Sequence, residues 1–241
     1  MEMIEHCLPY LKVRYHLIKM ALKKEPIVFL VTCGPSLELV KKMPGIHDLL
    51  EKNFTISVKQ AYNEFKSQTD VHIVNEIRYE KYQYLKSRPV ILSVGKRDAQ
   101  IKSDAHFPIS EYSEKNCLFK SNDYQNNTLI KRKYFRPWGV GVMYELAIFL
   151  PQIVGCKKLV IIGFDMNSGG TYHFYDTDNK KNSKEYNVSN DEIDNNKQTT
   201  IHLEKWLNDV GISVGLMSPL SELPFSRNLT SITCLKRFLN E

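Results

Sequence analysis

A short loop rich in small residues is the first feature of the sequence that could bind a ligand. It follows an apolar, β-branched run at 26–31 and precedes a helical pattern. Glycine lets a backbone approach a ligand closely, and a serine at a helix start can cap the first amides. Strand, glycine loop and helix in this order bind phosphate in many proteins. We therefore predict that the loop holds an anionic ligand and that its serine caps the helix; its residues are Thr32, Cys33, Gly34, Pro35 and Ser36.

Other polar residues follow the other apolar runs, where the strands of a parallel sheet would end. Ligands of open α/β sheets bind outside the carboxyl ends of the strands, so these residues are candidates for one shared crevice. For any one of them the plain alternative is a loop residue that satisfies backbone groups. The candidates are Lys59 and Gln60, Asn75 and Glu76, Asp165 and Asn167, and Ser218.

Groups suited to acid–base or metal chemistry lie in a polar segment at 165–199. His173, beside Tyr172, is the candidate general base, and a histidine hydrogen-bonded within its own loop is the alternative. Asp165, with the Asp-x-Asp at 176–178, could carry Mg²⁺ beside a nucleotide phosphate, and solvated carboxylates are the alternative.

The apolar patterns predict the elements that position these residues. Short apolar runs predict buried parallel strands, and periodic stretches directly before strands predict crossover helices. We predict an α/β fold: a single Rossmann-like domain at 26–241, with a mostly parallel sheet of about six strands, helices on both faces and a long polar lid at 165–199. The predicted strands are 26–31, 54–58, 71–74, 90–94, 159–164 and 212–216, and the clearest helices are 139–153 and 200–210.

The first segment, 1–25, predicts an amphipathic, basic helix. One interpretation is a helix packed on the domain or on a partner subunit, which leaves an oligomer open. The other is a helix that contacts the inner membrane surface. The first is favoured because the apolar positions lack Trp and Phe.

Composition restricts the compartment and the partners. The 33 Lys and Arg exceed the 27 Asp and Glu, and this net charge of +6 favours anionic partners. The basic stretches lack the aromatic and glycine pattern of an RNA-binding sheet, so we expect no nucleic acid. The five cysteines form no C-x-x-C pair, which fits reduced intracellular thiols rather than a disulfide frame or zinc site. With no signal peptide and no apolar run near the roughly 20 residues of a membrane span, a cytoplasmic location is predicted.

A series of short motifs resembles the bacterial sialyltransferases that use CMP-sialic acid, and the related motility accessory factor glycosyltransferases and an archaeal pterin pyrophosphokinase. The resemblance covers most of the chain after residue 27. In chain order, Gly34-Pro35-Ser36-Leu37 resembles the family's Gly-Pro-Ser-Leu, Val58-Lys59-Gln60 its Cys-Asn-Gln, Val74-Asn75 its Tyr-Asn, Gly139-Val140 its Ser-Gly-Val, Ile162-Gly163-Phe164-Asp165 its Ser-Gly-Ile-Asp and Ser218-Pro219 its Cys-Pro-Asn-Ser. His173-Phe174 is similar to a His-Phe segment of the motility accessory group.

The resemblance implies transfer of a sialic or other nonulosonic acid from a CMP-linked donor to a glycan or glycoprotein acceptor, without a metal or another cofactor. It implies that cytidine and phosphate are held by the Gly-Pro-Ser loop, Gln60, Asn75 and the turn at Trp138 and Gly139, with Gly163 and Ser218 at further motif positions. Catalytic roles would fall to His173, Tyr172 and Asp165.

Two alternatives stay open. The family places its catalytic histidine before the penultimate helix, where this chain reads Asp194-Asn195-Asn196. A nucleotide-binding module without catalytic activity is therefore one alternative. A Mg²⁺-dependent pyrophosphokinase of the hydroxymethylpterin type is the other, through Asp165.

Overall fold

The computed structural model describes residues 2–74, 82–87, 89–95, 103–108, 146–165 and 190–241. Within them the chain forms one seven-stranded sheet in which every strand pair is parallel. The strands are β1 Glu25–Val31, β2 Asn53–Val58, β3 Val71–Val74, β4 Val90–Gly95, β5 Ala105–Pro108, β6 Lys158–Ile162 and β7 Ser213–Met217. The helices are α1 Glu2–Ala21, α2 Leu37–Val40, α3 Ile46–Lys52, α4 Ala61–Glu64, α5 Leu150–Ile153, α6 Asn190–Asp209 and α7 Ile232–Asn240, with a 3₁₀ turn at Ala147–Phe149.

The order of the strands locates the crevice of the sheet. It runs β5-β4-β3-β2-β1-β6-β7, so the chain builds outward from β1 in one direction and then returns to add β6 and β7 on its other side. The strand order therefore reverses between β1 and β6, which pair from Ile27 with Lys158 to Val31 with Ile162. In open α/β sheets the ligand crevice lies at such a reversal, outside the carboxyl ends of the strands.

The prediction of a Rossmann-like α/β fold is confirmed, and all six predicted strands are present. The seventh strand, β5, was not predicted because its four residues include His106 and Pro108 and form no apolar run. Proline lacks the amide proton that a ladder needs and is tolerated at the edge of a sheet, which is where β5 lies.

Alternating side chains of the strands fill a hydrophobic core on each face of the sheet. On one face, Leu30, Ile56 and Ile161 pack with residues of α1, α5 and α6. On the other face, Phe29 and Val160 pack with residues of α2, α3, α4 and α7. Burial on both faces explains why these strands appear in the sequence as continuous apolar runs.

The predicted N-terminal helix is present as α1, and its described part packs on the domain. Leu17 is 2% exposed within the core, and Val13 and Met20 pack against the same cluster. This contact agrees with the interpretation that the N-terminal helix packs on the domain. Among the described residues, no helix combines the length and the apolar character needed to cross a bilayer.

Two helix predictions are corrected. Helix α6 begins at Asn190 rather than at residue 200, so residues 190–199 of the predicted lid are helical. Its first half is so polar that it carries no apolar periodicity, and residues 166–189 lie outside the described part. The described end of the predicted helix 139–153 is a 3₁₀ turn followed by α5. Pro151 lacks an amide proton and is compatible only with the first turn of a helix, so α5 starts just before it.

Candidate functional site: the crevice between β1 and β6

The loops that follow β1 and β6 are hydrogen-bonded to each other and form the base of the crevice. The amide of Thr32 donates to the carbonyl of Ile162 at 2.8 Å, and that of Gly34 donates to the carbonyl of Gly163 at 2.7 Å. The Thr32 hydroxyl donates to the same two carbonyl oxygens, at 3.0 and 2.5 Å. The β1–β6 pairing is therefore extended beyond the strands into the predicted ligand loop.

Two glycines make this close approach sterically feasible. A Cβ atom at Gly34 would lie 2.3 Å from the Gly163 carbonyl oxygen and 2.4 Å from the Oδ2 atom of Asp165. Gly163 has a φ of +68°, which other residues adopt at a cost, and its Cβ would lie 2.8 Å from the Thr32 carbonyl oxygen. Both glycines are thus required for packing between the loops, and the predicted contact of each with a ligand stays a prediction.

Asp165 accepts hydrogen bonds from Ser36, the residue before α2. The Ser36 amide donates to Asp165 Oδ2 at 2.6 Å, and the Ser36 hydroxyl donates to Oδ1, also at 2.6 Å. The Ser36 hydroxyl oxygen in turn accepts from the amide of Leu220 at 2.9 Å. The prediction that the Ser36 side chain caps α2 is therefore wrong, because the hydroxyl is engaged by Asp165 and makes no cap hydrogen bond.

The carboxylate of Asp165 is held by neutral donors. Burial raises its pKa above the usual range, and the hydrogen bonds from Ser36 oppose that shift only in part. Among the described residues, no lysine or arginine forms an ion pair with it. A charged group close to the crevice thus lacks a cation partner within the described part of the chain.

Ser218, at the carboxyl end of β7, is fully buried beside the β6 loop. Its hydroxyl oxygen accepts from the amide of Phe164 at 2.8 Å, and the Ser221 hydroxyl donates to the Phe164 carbonyl at 2.9 Å. These bonds hold the backbone between Gly163 and Asp165. The observed contacts of Ser218 are structural, and its predicted ligand contact is not tested by them.

Gln60 lies on the β2 side of the same loop. The Cys33 thiol donates to the Val58 carbonyl at 3.1 Å and contacts Gln60 Oε1 at 3.9 Å. Lys59, between those two residues, has a φ of +49°, the only non-glycine residue of the described part with a positive φ. Asn and Asp occupy this left-handed region far more readily than lysine does.

A buried histidine holds this strained turn. His72 on β3 is fully buried and lies 2.8 Å from the Lys59 carbonyl oxygen through Nε2. Since a carbonyl only accepts, Nε2 carries the proton, and Nδ1 accepts from the Tyr84 hydroxyl at 2.7 Å. Burial lowers the pKa of His72 to about 4, so the ring is neutral at physiological pH. Sequence reasoning missed this network because an isolated histidine in an apolar strand carries no signal of its partners.

The structure brings one group of the predicted site residues together. The loop residues 32–36 lie against Gly163 and Asp165 on one side and against Gln60 on the other, and Ser218 supports the β6 loop. No cluster of three or more potential metal ligands occurs among the described residues. The remaining predicted site residues lie outside the described part: Asn75, Trp138, Gly139, Tyr172 and His173, together with Glu76, Asn167 and residues 176–178.

Comparison with known proteins gives a structural likeness but no sequence match. No protein-family model matches the chain, and no curated protein sequence matches it. Among solved structures, it is similar to a mammalian sialyltransferase in complex with Gal-β-1-3GalNAc-ortho-nitrophenol. The identity is 13% and the TM-score 0.39, over 78% of this chain and 68% of the other. The strand order and the crevice themselves define an α/β protein with a Rossmann-like parallel sheet.

Proposed function

We propose that this protein is a glycosyltransferase that moves a sialic or other nonulosonic acid from a CMP-activated donor to a hydroxyl of a glycan. The observation that carries the proposal is the junction of the Gly-Pro-Ser loop with the Gly163–Asp165 turn at the reversal of strand order. Two of the motifs that resemble the CMP-dependent family, Gly34-Pro35-Ser36-Leu37 and Ile162-Gly163-Phe164-Asp165, are hydrogen-bonded to each other there. This is the position at which sheets of this kind bind nucleotides.

The proposed donor would lie with its cytidine and phosphate against the loop at 32–36. Gly34 lets the loop pack against the Gly163–Asp165 turn, and Gln60 stands on the β2 side of the loop. Each Asp165 oxygen uses one lone pair on Ser36 and keeps another to accept from a hydroxyl of the ligand. In this proposal Asp165 therefore orients the donor rather than binding a metal.

Departure of CMP from a nonulosonic acid leaves a centre that resembles an oxocarbenium ion. The site must then stabilise the leaving phosphate and remove a proton from the acceptor hydroxyl. We assign the proton transfer to His173 and assistance to the leaving phosphate to Tyr172. Both assignments rest on the sequence.

Ligand-dependent stabilisation tests the proposal, because a ligand that binds the folded state raises Tm. CMP, CDP, ATP and GTP are added separately, each with and without Mg²⁺. The proposal predicts stabilisation by the cytidine nucleotides that does not require Mg²⁺. Stabilisation by ATP only in the presence of Mg²⁺ would instead favour the pyrophosphokinase alternative.

Transfer from a CMP-activated nonulosonic acid to a panel of glycans then tests the chemistry. His173→Ala is expected to abolish transfer while CMP still raises Tm. CMP binding without transfer to any acceptor would support the module without catalytic activity, and full turnover by His173→Ala would remove histidine from the mechanism.

A further inference from the structure

We propose that Lys59 is the cation that binds the phosphate group of the ligand in this crevice. The inference rests on the proposed function in one respect: the ligand is a nucleotide that carries phosphate. It gives a definite role to a residue that the sequence named only as one of several candidates for the crevice.

The position of Lys59 supports the proposal. Lys59 follows β2 directly, and β2 pairs with β1 on the side opposite β6. Cys33 of the ligand loop contacts the residue before Lys59 and the residue after it, through Val58 O at 3.1 Å and Gln60 Oε1 at 3.9 Å. The backbone of Lys59 therefore runs alongside the loop, and a lysine side chain is long enough to reach a group bound over it.

A phosphate group bound in this crevice would lie near the Asp165 carboxyl group and would need a cation beside it. Asp165 places a carboxyl group at the base of the loop, and its partner there is the neutral Ser36. A phosphate bound beside a carboxylate is repelled unless a positive charge offsets it. Lys59 is half-buried, and in the described part of the chain its ammonium group forms no ion pair. The described structure thus has the Asp165 carboxyl group on one side of the loop and the backbone next to Lys59 on the other.

The backbone of Lys59 is held in an unfavourable conformation by hydrogen bonds with its neighbours. Its φ of +49° is unfavourable for lysine, and strain of this kind concentrates at functional sites. Two hydrogen bonds hold it: the Lys59 amide donates to Ile73 O at 2.8 Å, and His72 Nε2 donates to Lys59 O at 2.8 Å. Tyr84 fixes the tautomer of His72. His72 and Tyr84 are therefore positioning residues for Lys59.

The experiment measures the affinities of CMP, cytidine and inorganic pyrophosphate by calorimetry for the wild type, Lys59→Met and Lys59→Arg. Lys59→Met keeps the length of the side chain and the backbone strain but removes the charge. A lost charge-assisted hydrogen bond corresponds to about a 10- to 100-fold loss of affinity. We expect that loss for CMP and pyrophosphate, unchanged affinity for cytidine, and a change of less than about threefold for Lys59→Arg. Lys52→Met, an exposed lysine at the other end of β2, is the matched control and should change nothing.

The outcomes separate this inference from the proposed function. Equal CMP affinity of the wild type and Lys59→Met overturns the inference and leaves the CMP-dependent function standing. Pyrophosphate binding that requires Lys59, in a protein whose Tm is raised as much by ATP and GTP as by CMP, supports the inference and contradicts the CMP-dependent function. Loss of cytidine binding together with CMP binding in Lys59→Met overturns the inference, because it would show general damage to the site. The Tm of each variant without ligand confirms that it is folded.

Discussion

A partly buried aspartate lies at each end of the sheet, and its hydrogen-bond partners differ between the two ends. At the amino end, Asp70 forms an ion pair with Lys24 at 2.6 Å and accepts from the Thr55 amide at 2.8 Å. Lys24 also donates to the Asn53 carbonyl, at 2.9 Å. At the carboxyl end, Asp165 accepts from the amide and hydroxyl of Ser36, both at 2.6 Å. Burial is the largest influence on both carboxyl groups and raises both pKa values.

The difference distinguishes a structural contact from a site that can bind a ligand. A carboxylate beside a lysine is neutralised within the fold. At the amino end of the sheet, Lys24 therefore supplies the cation that Asp70 needs. A partly buried carboxyl group held only by uncharged donors is not neutralised by a cation within the described part of the chain, and its remaining lone pairs are available to a ligand. In an open α/β sheet that second arrangement belongs at the carboxyl end, where it is found here.

The largest expected effect is that of Gly34→Ala at the carboxyl end. The added Cβ would overlap the Gly163 carbonyl and the Asp165 carboxylate, and a backbone atom cannot move aside cheaply. We expect a loss of about 3 kcal/mol in the free energy of unfolding, the upper part of the range for overpacking. Urea denaturation measures it.

Gly211→Ala is the control for this substitution. Gly211 has a φ of +80° but no neighbouring atom within 4 Å of its Cβ position, so the change tests conformational strain alone. Its expected cost is about 1 kcal/mol. Equal losses in the two variants would show that the contact between the loops is looser than the structure indicates.

At the amino end, Lys24→Met leaves Asp70 without its cation. Breaking a buried pair from one side is costly because the remaining charge is uncompensated. Both side chains are partly accessible, at 21% and 15%, so we expect a loss of about 2 kcal/mol rather than the full cost of a buried pair. Thermal or urea unfolding measures it, and Lys23→Met at the exposed neighbour should lie within about 0.5 kcal/mol of the wild type.

The pH dependence of stability sharpens the comparison further. The folded-state pKa of Asp165 is raised, so its protonated form is favoured in the folded protein, and its contribution to stability falls as pH rises from about 4 through that raised pKa. Asp165→Asn lacks this titration. The stability advantage of the wild type over Asp165→Asn should therefore decrease from pH 4 towards neutrality. An advantage that grows with pH would mean that a cation neutralises Asp165 in the folded protein.

The smallest expected effect is a gain in stability. Lys59→Asn places a residue that tolerates the left-handed region at a φ of +49°, and we expect about 0.5–1 kcal/mol of stabilisation. Lys59→Ala retains the strain and should lie within about 0.5 kcal/mol of the wild type. Equal stabilisation by both substitutions would assign the gain to loss of charge instead. Denaturant midpoints at constant m-value measure the difference.

Much of the fold could be predicted because its strands are buried on both faces. The run 159–164 is continuously apolar because the strand it forms lies between β1 and β7 and is covered on both faces. Strand β5 and the first half of α6 could not be predicted, since neither the edge strand nor residues 190–199 form an apolar pattern in the sequence. The pairing of β5 with β4, rather than local propensity, determines that strand.

The position of the ligand loop could be predicted from the sequence, but the hydrogen bonds that its residues make could not. The Gly-Pro-Ser motif and Asp165 were both singled out, yet they are far apart in the chain, and only the pairing of β1 with β6 brings Ser36 onto the carboxylate. The sequence suggested a helix cap for Ser36 because that is the local option for a serine at a helix start. The contact of His72 with Lys59 likewise depends on the pairing of β2 with β3.

Hydrogen exchange with and without CMP shows where on the sheet a nucleotide binds. For a nucleotide site between β1 and β6 we expect slower exchange at 32–37 and 59–62, at the carboxyl ends of β1 and β2, and no change at 46–53, at the amino end of β2. Protection at 46–53, or no protection at 32–37 at a CMP concentration that raises Tm, would contradict a nucleotide site between β1 and β6.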